Sequence, residues 1–234
     1  MKSATSTLAN AAYGVVRRRI LRGQLSLGQA VSRRKLAAEL GMSFLPVSEA
    51  LLRLEFEGLL ESRPRAGTRV RIPSPDDVRG HYLVRETLET QAARLFAEVA
   101  SRGDRLSLQK LAARLDALSR LPNRAVYLSL HHQFHQRIAE SARCPVLSAA
   151  IEQTCALAST WFCVFPRPVS VRAPRRHQDL ARALANDTPA RAAAAMRRHV
   201  RYSRQEALNR LQPYFEIRKA SGRTFSRSAR RVVS

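Results

Sequence analysis

Four of the six histidines in this 234-residue chain are spaced so that they could share one ion. His131 and His135 stand four apart, which places both on one face of a helix, and His177 and His199 follow further along, 22 residues from each other. Imidazole is a ligand for borderline divalent ions, and an i, i+4 pair joined by two remote rings makes a coordination set if the helices carrying them converge. The same spacing also occurs on an exposed amphipathic helix that binds nothing, so the pattern alone leaves both readings open. His132 is three residues from His135 and competes for a place in the set. His81 has no spaced partner and is expected at the surface or the edge of a core. No HExxH sequence is present, and Glu140, five positions past His135, points largely away from it, which argues against a small zinc hydrolase.

The segments that must position these rings read as helices. Beyond Pro73-Ser74-Pro75, a linker by composition, apolar residues recur with helical spacing: Val78, Tyr82, Leu88, Ala92, Leu95 and Phe96 after Asp76, then about 106–118, 124–141, 146–165 up to Pro166 and Pro168, 175–185 and 189–211. The expectation is an all-helical bundle over residues 74–213. Residues 214–234 are basic and poor in large apolar groups. They are expected to be a disordered tail, either solubilising or adding a non-specific contact to nucleic acid.

Residues 1–73 have a different character. A first helix carries Leu8, Tyr13, Val16, Ile20 and Leu21, and a short amphipathic segment over 33–40 is stopped by Gly41. Ser43 can cap the helix that follows, with Pro46 in its first turn and Ala50, Leu51 and Leu54 as its buried stripe. Leu59–Arg63 and Thr68–Ile72 then read as two strands around Pro64–Gly67. Two helices about a tight turn followed by a hairpin outline a winged helix-turn-helix. This segment has thirteen Lys/Arg against five Asp/Glu, and the whole chain has 41 against 18, a net charge of +23 that calls for a polyanionic partner. Charge alone would also suit a non-specific nucleic-acid-binding protein. Three cysteines without CxxC spacing fit a reducing compartment, and arginines interrupt every apolar stretch before membrane-spanning length, so a soluble cytoplasmic protein is expected.

The chain resembles the GntR transcription regulators of the FadR-like branch, which carry an all-helical FCD effector domain. The resemblance covers about residues 8–212. It rests on Ile20-Leu21-Arg22-Gly23, Leu36-Ala37 with Leu40-Gly41, Ser43-x-x-Pro46-Val47-x-Glu49-Ala50-Leu51 with Leu54-Glu55 and Glu57-Gly58-Leu59, and Gly67-Thr68-Arg69-Val70. It implies a DNA-binding regulator rather than an enzyme, acting as a homodimeric repressor on a palindromic operator and responding to a small organic acid. The implied DNA contacts are Arg33, Arg34, Ser43, Phe44, Ser48, Arg53, Arg65, Gly67 and Arg69. Family members usually carry arginine where this chain has Phe44 and Ser48, so either the operator differs or wing arginines carry more of the binding. Phe44 and Leu45 could touch thymine methyls or pack on the neighbouring helix.

The resemblance also implies a divalent metal. Metal-binding FCD domains carry Asp-x-x-x-His followed by two later histidines; here His131 stands at the aspartate position, with His135, His177 and His199 at the others. Exchanging a carboxylate for a neutral imidazole favours zinc or nickel over harder ions, with either all four rings or three of them as ligands, and His132 expected to face elsewhere. The family arginine that faces the effector is matched by Arg85, which could equally form a surface pair with Glu89 at helical spacing.

Overall fold

The computed structural model describes residues 4–64, 66–118, 124–163 and 175–229. The chain divides into two compact units: Met1–Ser74 with Leu211–Ser234, and Pro75–Arg210.

In the first unit, helix α1 (Ala4–Leu21) buries Ala12, Val16 and Ile20, one residue per turn, and packs on α3. Strand β1 (Ala30–Val31) leads into α2 (Arg33–Leu40), whose first turn is capped by Ser32, its hydroxyl accepting from the Lys35 amide at 3.2 Å. The helix stops at Gly41, which takes φ +60° while the Met42 amide returns to the Ala37 carbonyl at 3.0 Å. Helix α3 (Phe44–Phe56) follows at once and buries Val47, Ala50, Leu51 and Leu54. Ser43 has the extended backbone of a cap, but its side chain makes no capping hydrogen bond. Strands β2 (Leu60–Arg63) and β3 (Gly67–Val70) pair antiparallel with Arg63 opposite Gly67, whose φ of +72° suits the glycine at the hairpin's exit.

The sheet has three strands, in the order β1-β3-β2, rather than the two expected from the sequence. The third strand is two residues long, too short to show alternation, and exists only because Ala30 and Val31 find Arg69 and Thr68 across the ladder.

Among the described residues the second unit is all helical: α4 (Pro75–Val99), α5 (Arg102–Leu118), α6 (Arg124–Ser141), α7 (Pro145–Cys163), α8 (Arg176–Asn186) and the first half of α9 (Pro189–Ala229). Its core is built on Tyr82, Phe96, Leu108, Leu115, Phe134, Ile138, Ile151 and Leu184, with Ala192, Met196 and Val200 from α9. The basic end expected to lack regular structure is helical as far as Ala229, with Pro213 inside the helix. Leu211 and Phe215, four apart, are both buried, so the apolar face continues past the proline. Among the described residues no helix is long and apolar enough to cross a membrane.

A Cβ at Gly41 would meet nothing within 4 Å, so only its backbone conformation demands glycine. Gly41→Ala should therefore lower the unfolding free energy by about 1 kcal/mol and Gly41→Asn by less than half of that, in denaturant titrations.

Candidate functional site

Helix α6 brings His131 and His135 to the interior of the helical unit, α8 brings His177 in its first turn, and α9 brings His199. The rings converge: centroids lie 4.6 Å apart for His131 and His135, 5.4 Å for His131 and His177, 5.2 Å for His177 and His199, and 5.4 Å for His135 and His199. One donor nitrogen from each of His131, His177 and His199 lies within 4.8 Å of the other two, close enough to share an ion. His135 stands beside this trio, its Nε2 3.3 Å from that of His131. The four rings named from spacing and resemblance thus come together.

Two carboxylates from other helices orient the rings. Asp116, on α5, accepts from Nδ1 of His177 at 2.6 Å and from the Gln178 amide at 3.0 Å. It thereby holds the ring and supplies the cap that α8 lacks locally, since Arg175 makes no side-chain cap. With Nδ1 so engaged, Nε2 of His177 is left buried without a hydrogen-bond partner among the described residues, as is Nε2 of His199. Two orphaned imidazole nitrogens at the centre of a packed bundle are costly unless an ion takes them, so the donor set fits a divalent metal. Glu89, on α4, contacts Nδ1 of His135 at 2.7 Å through one oxygen and accepts from Nε of Arg85 at 2.7 Å through the other.

The electrostatics match. Burial, reinforced by the neighbouring rings, holds His131 and His199 well below the usual imidazole range. Burial also lowers His177, although Asp116 pulls the other way. These rings are neutral and ready to donate lone pairs. Burial would raise the carboxyl of Glu89, but the guanidinium of Arg85 and the ring of His135 hold it at about 2. The thiol of Cys155, whose Sγ lies 3.8 Å from Glu89, is pushed by burial up to about 12.

Arg85 does not form a surface pair. It and Glu89 are each 2% exposed, and the guanidinium lies over the ring of Tyr82. Arg85 also lines a cavity of about 10 Å³ with His131, His132, His135 and Cys155, room for roughly one water. His132, expected to face elsewhere, thus borders the same space. His81 sits at a core edge, its Nε2 2.8 Å from the Thr154 carbonyl and its ring against Trp161. Asp116 and Glu89 were not singled out from the sequence as ring-orienting groups. Their signal was present as charged residues inside otherwise apolar helix faces, Leu108-Ala112-Leu115-Asp116 on α5 and Tyr82-Arg85-Glu89-Ala92-Phe96 on α4.

In the winged unit, α2 opens with Arg33, Arg34 and Lys35 and no acid in that turn; Arg34 is exposed, and Arg33 reaches Oγ1 of Thr68 at 3.5 Å. Ser43 and Phe44 are exposed at the start of α3. Ser48 and Arg53 both have contacts within the unit, although the Arg53 side chain is still 53% exposed. The hydroxyl of Ser48 is buried, and Arg53 stacks over the ring of Tyr13 at 4.0 Å while bonding Asn10 at 3.1 Å. Arg69 and Arg63 both approach Glu61, at 3.9 and 3.1 Å, and Gly67 opens β3. Arg65 lies outside the described residues.

A basic winged helix-turn-helix joined to a helical unit with a buried imidazole cluster defines a DNA-binding regulator with a sensory domain. The chain belongs to the GntR family of bacterial regulatory proteins: residues 8–70 match that family and residues 81–202 match the FCD domain. Relatives include one described as a probable D-xylose utilization operon transcriptional repressor of Paenarthrobacter nicotinovorans, 31% identical over 140 residues, covering 58% of this chain and 60% of the relative. Another is the HTH-type transcriptional repressor RspR of Escherichia coli, 28% identical over 141 residues, covering 60% and 61%. The matched part thus spans about three-fifths of the length of these curated relatives. Among solved structures, one described as a putative transcriptional regulator GntR from Rhodococcus sp. RHA1 superposes with a TM-score of 0.73 at 19% identity, over 86% of this chain and 97% of that one. E. coli McbR/YncC does so with 0.68 at 23%, over 92% and 100%. The family and these relatives are transcription regulators, not enzymes.

Two outcomes follow from the site. Asp116→Asn should weaken retention of added zinc 10- to 100-fold in chelator competition, because the ring of His177 loses the acceptor that orients it. His81 has its pKa lowered to about 4, first by burial and then by Arg85. The unfolded chain takes up this proton below about 6.5 while the folded one refuses it until about 4, so the stability tied to the neutral ring is complete above 6.5 and lost as pH falls through that window. Between pH 7.5 and 4.5, wild type should lose about 2 kcal/mol more unfolding free energy than His81→Gln, read by denaturant titration.

Proposed function

We propose that this protein is a repressor that binds a palindromic operator as a homodimer and is controlled by a small organic acid at a metal-containing site in its helical unit. The observation that carries the metal reading is the pair of buried Nε2 atoms of His177 and His199, partnerless among the described residues, beside His131. His131, His177 and His199 are the core of the ligand set, with His135 as the fourth donor. Neutral imidazoles in this number suit zinc or nickel rather than magnesium. When bound, the ion supplies a Lewis-acid point at which a carboxylate oxygen can be held.

The protein's own residues suggest how a signal starts. Arg85 lines this space, and in the absence of effector its charge is answered by Glu89. A carboxylate entering beside His131 and His135 competes with Glu89 for Arg85. The cavity holds only about one water, so entry requires the helices lining it to move apart. Glu89 also holds His135, so displacement at Arg85 is transmitted to α6. An effector that binds this altered arrangement better than the resting one shifts the population and, in a dimer, the spacing of the two winged units.

The test has two arms. Purified wild type should carry about one zinc or nickel per chain, while His199→Ala and His177→Ala should carry less than a tenth of that; equal metal in all three rejects the site. In salt-matched binding assays the protein should select a discrete duplex from promoter DNA and lose affinity steeply with added salt. Binding no tighter than to random DNA rejects the operator reading.

A further inference from the structure

We propose that the first turn of α3 reads thymine methyl groups, through Phe44 and Leu45, and does not read guanine. This rests on the winged unit binding an operator. Helix α3 is the second helix of the helix-turn-helix, the one whose N-terminal residues reach base edges in the major groove. Its charged residues are Glu49, Arg53 and Glu55.

Guanine is read best by a guanidinium free to make two hydrogen bonds to O6 and N7. Arg53 is the one guanidinium on α3; its side chain is 53% exposed, but it lies over the ring of Tyr13 at 4.0 Å, bonds Oδ1 of Asn10 through Nη1 at 3.1 Å and pairs with Glu57 through Nε at 3.4 Å, so a two-bond contact with guanine would have to give up one of these partners. Glu55 is likewise occupied, accepting from the Ser62 amide at 2.7 Å and its hydroxyl at 3.0 Å. Ser48, one turn past Phe44, has its hydroxyl buried and so offers no hydrogen bond to a base. What α3 presents from its first turn is apolar: Phe44 is 56% exposed and Leu45 59%, with Leu52 exposed further along.

Apolar side chains this exposed have one complementary feature in the major groove, the C5-methyl of thymine. The surroundings say that a nucleic acid is what brings them there. The first turn of α2 carries Arg33, Arg34 and Lys35 with no acid, and these cations suit the phosphates flanking a groove occupied by α3. Affinity then comes from α2 and the wing, and base discrimination on α3 from methyl contacts, which do not depend on salt.

The experiment selects a preferred duplex from random DNA with the full-length protein, then replaces its thymines one at a time with deoxyuridine, which removes only the methyl. At one or two positions in each half-site, binding should weaken about fourfold per methyl, equally at low and high salt. Phe44→Ala and Leu45→Ala, at exposed positions whose melting temperatures should match wild type, should each abolish the penalty at one of those positions while binding uracil-containing DNA as wild type does. Phe44→Arg should shift the selected site toward guanine. The assignment is overturned if deoxyuridine is tolerated throughout, or if 7-deazaguanine, which lacks N7, weakens binding at the positions that Phe44→Ala affects. Failure to enrich any sequence overturns it together with the operator reading, whereas an enriched site indifferent to thymine methyls overturns the thymine assignment alone.

Discussion

Imidazoles gathered inside a helical bundle need polar groups around them that hold the rings in place, and this requirement draws on every described helix of the second unit. Helix α6 carries His131 and His135, α8 carries His177 and α9 carries His199, while α5 supplies Asp116, α4 supplies Glu89 with Arg85, and α7 supplies Cys155 beside them. Neither carboxylate could be buried alone; each is held ionised by the groups it orients. Asp116 serves two needs at once, since the same side chain holds the ring of His177 and closes the open amide of Gln178 at the start of α8. Geometry around the site and local helix termination are therefore one constraint.

In the proposed control the buried ion pair is the element on which a ligand acts. A pair such as Arg85–Glu89 gains little over an apolar core of equal volume, but separating its members leaves an uncompensated charge. In the proposed exchange a ligand carboxylate takes over the guanidinium, and Glu89 is already in contact with His135. The proposed control mechanism needs no long pathway, only this exchange of partners inside a packed unit.

The winged unit divides its work differently. Cations sit on α2 and the wing without being buried, while α3 buries an apolar stripe and presents Phe44 and Leu45 to solvent from its first turn, with Glu49 and Arg53 exposed further along. Arg53, which by position could have joined the cations, ties α3 to α1 through Tyr13 and Asn10. The first turn of α3 carries no guanidinium of its own, which is what the proposed thymine readout rests on.

Much of this was legible from residue order alone, because helical period and local turns depend on neighbours within one or two turns. The range 124–141 for α6 followed from its apolar spacing between two turn signals, the left-handed Gly41 from the end of an amphipathic segment, and the four rings from their types and positions. Features that depend on packing were not legible: β1 exists only through its partner, α9 passes Pro213 because Phe215 is buried, and Arg53 meets Asn10 across 43 residues. The chain by itself determined which residue types could hold an ion and which helices would carry them, since a side chain's face on its own helix is set by periodicity. Only the tertiary structure decided that Asp116 orients His177 from 61 residues away, that Glu89 joins Arg85 to His135, and that Ser48 turns inward, because those distances depend on how helices pack against one another and no local spacing encodes them.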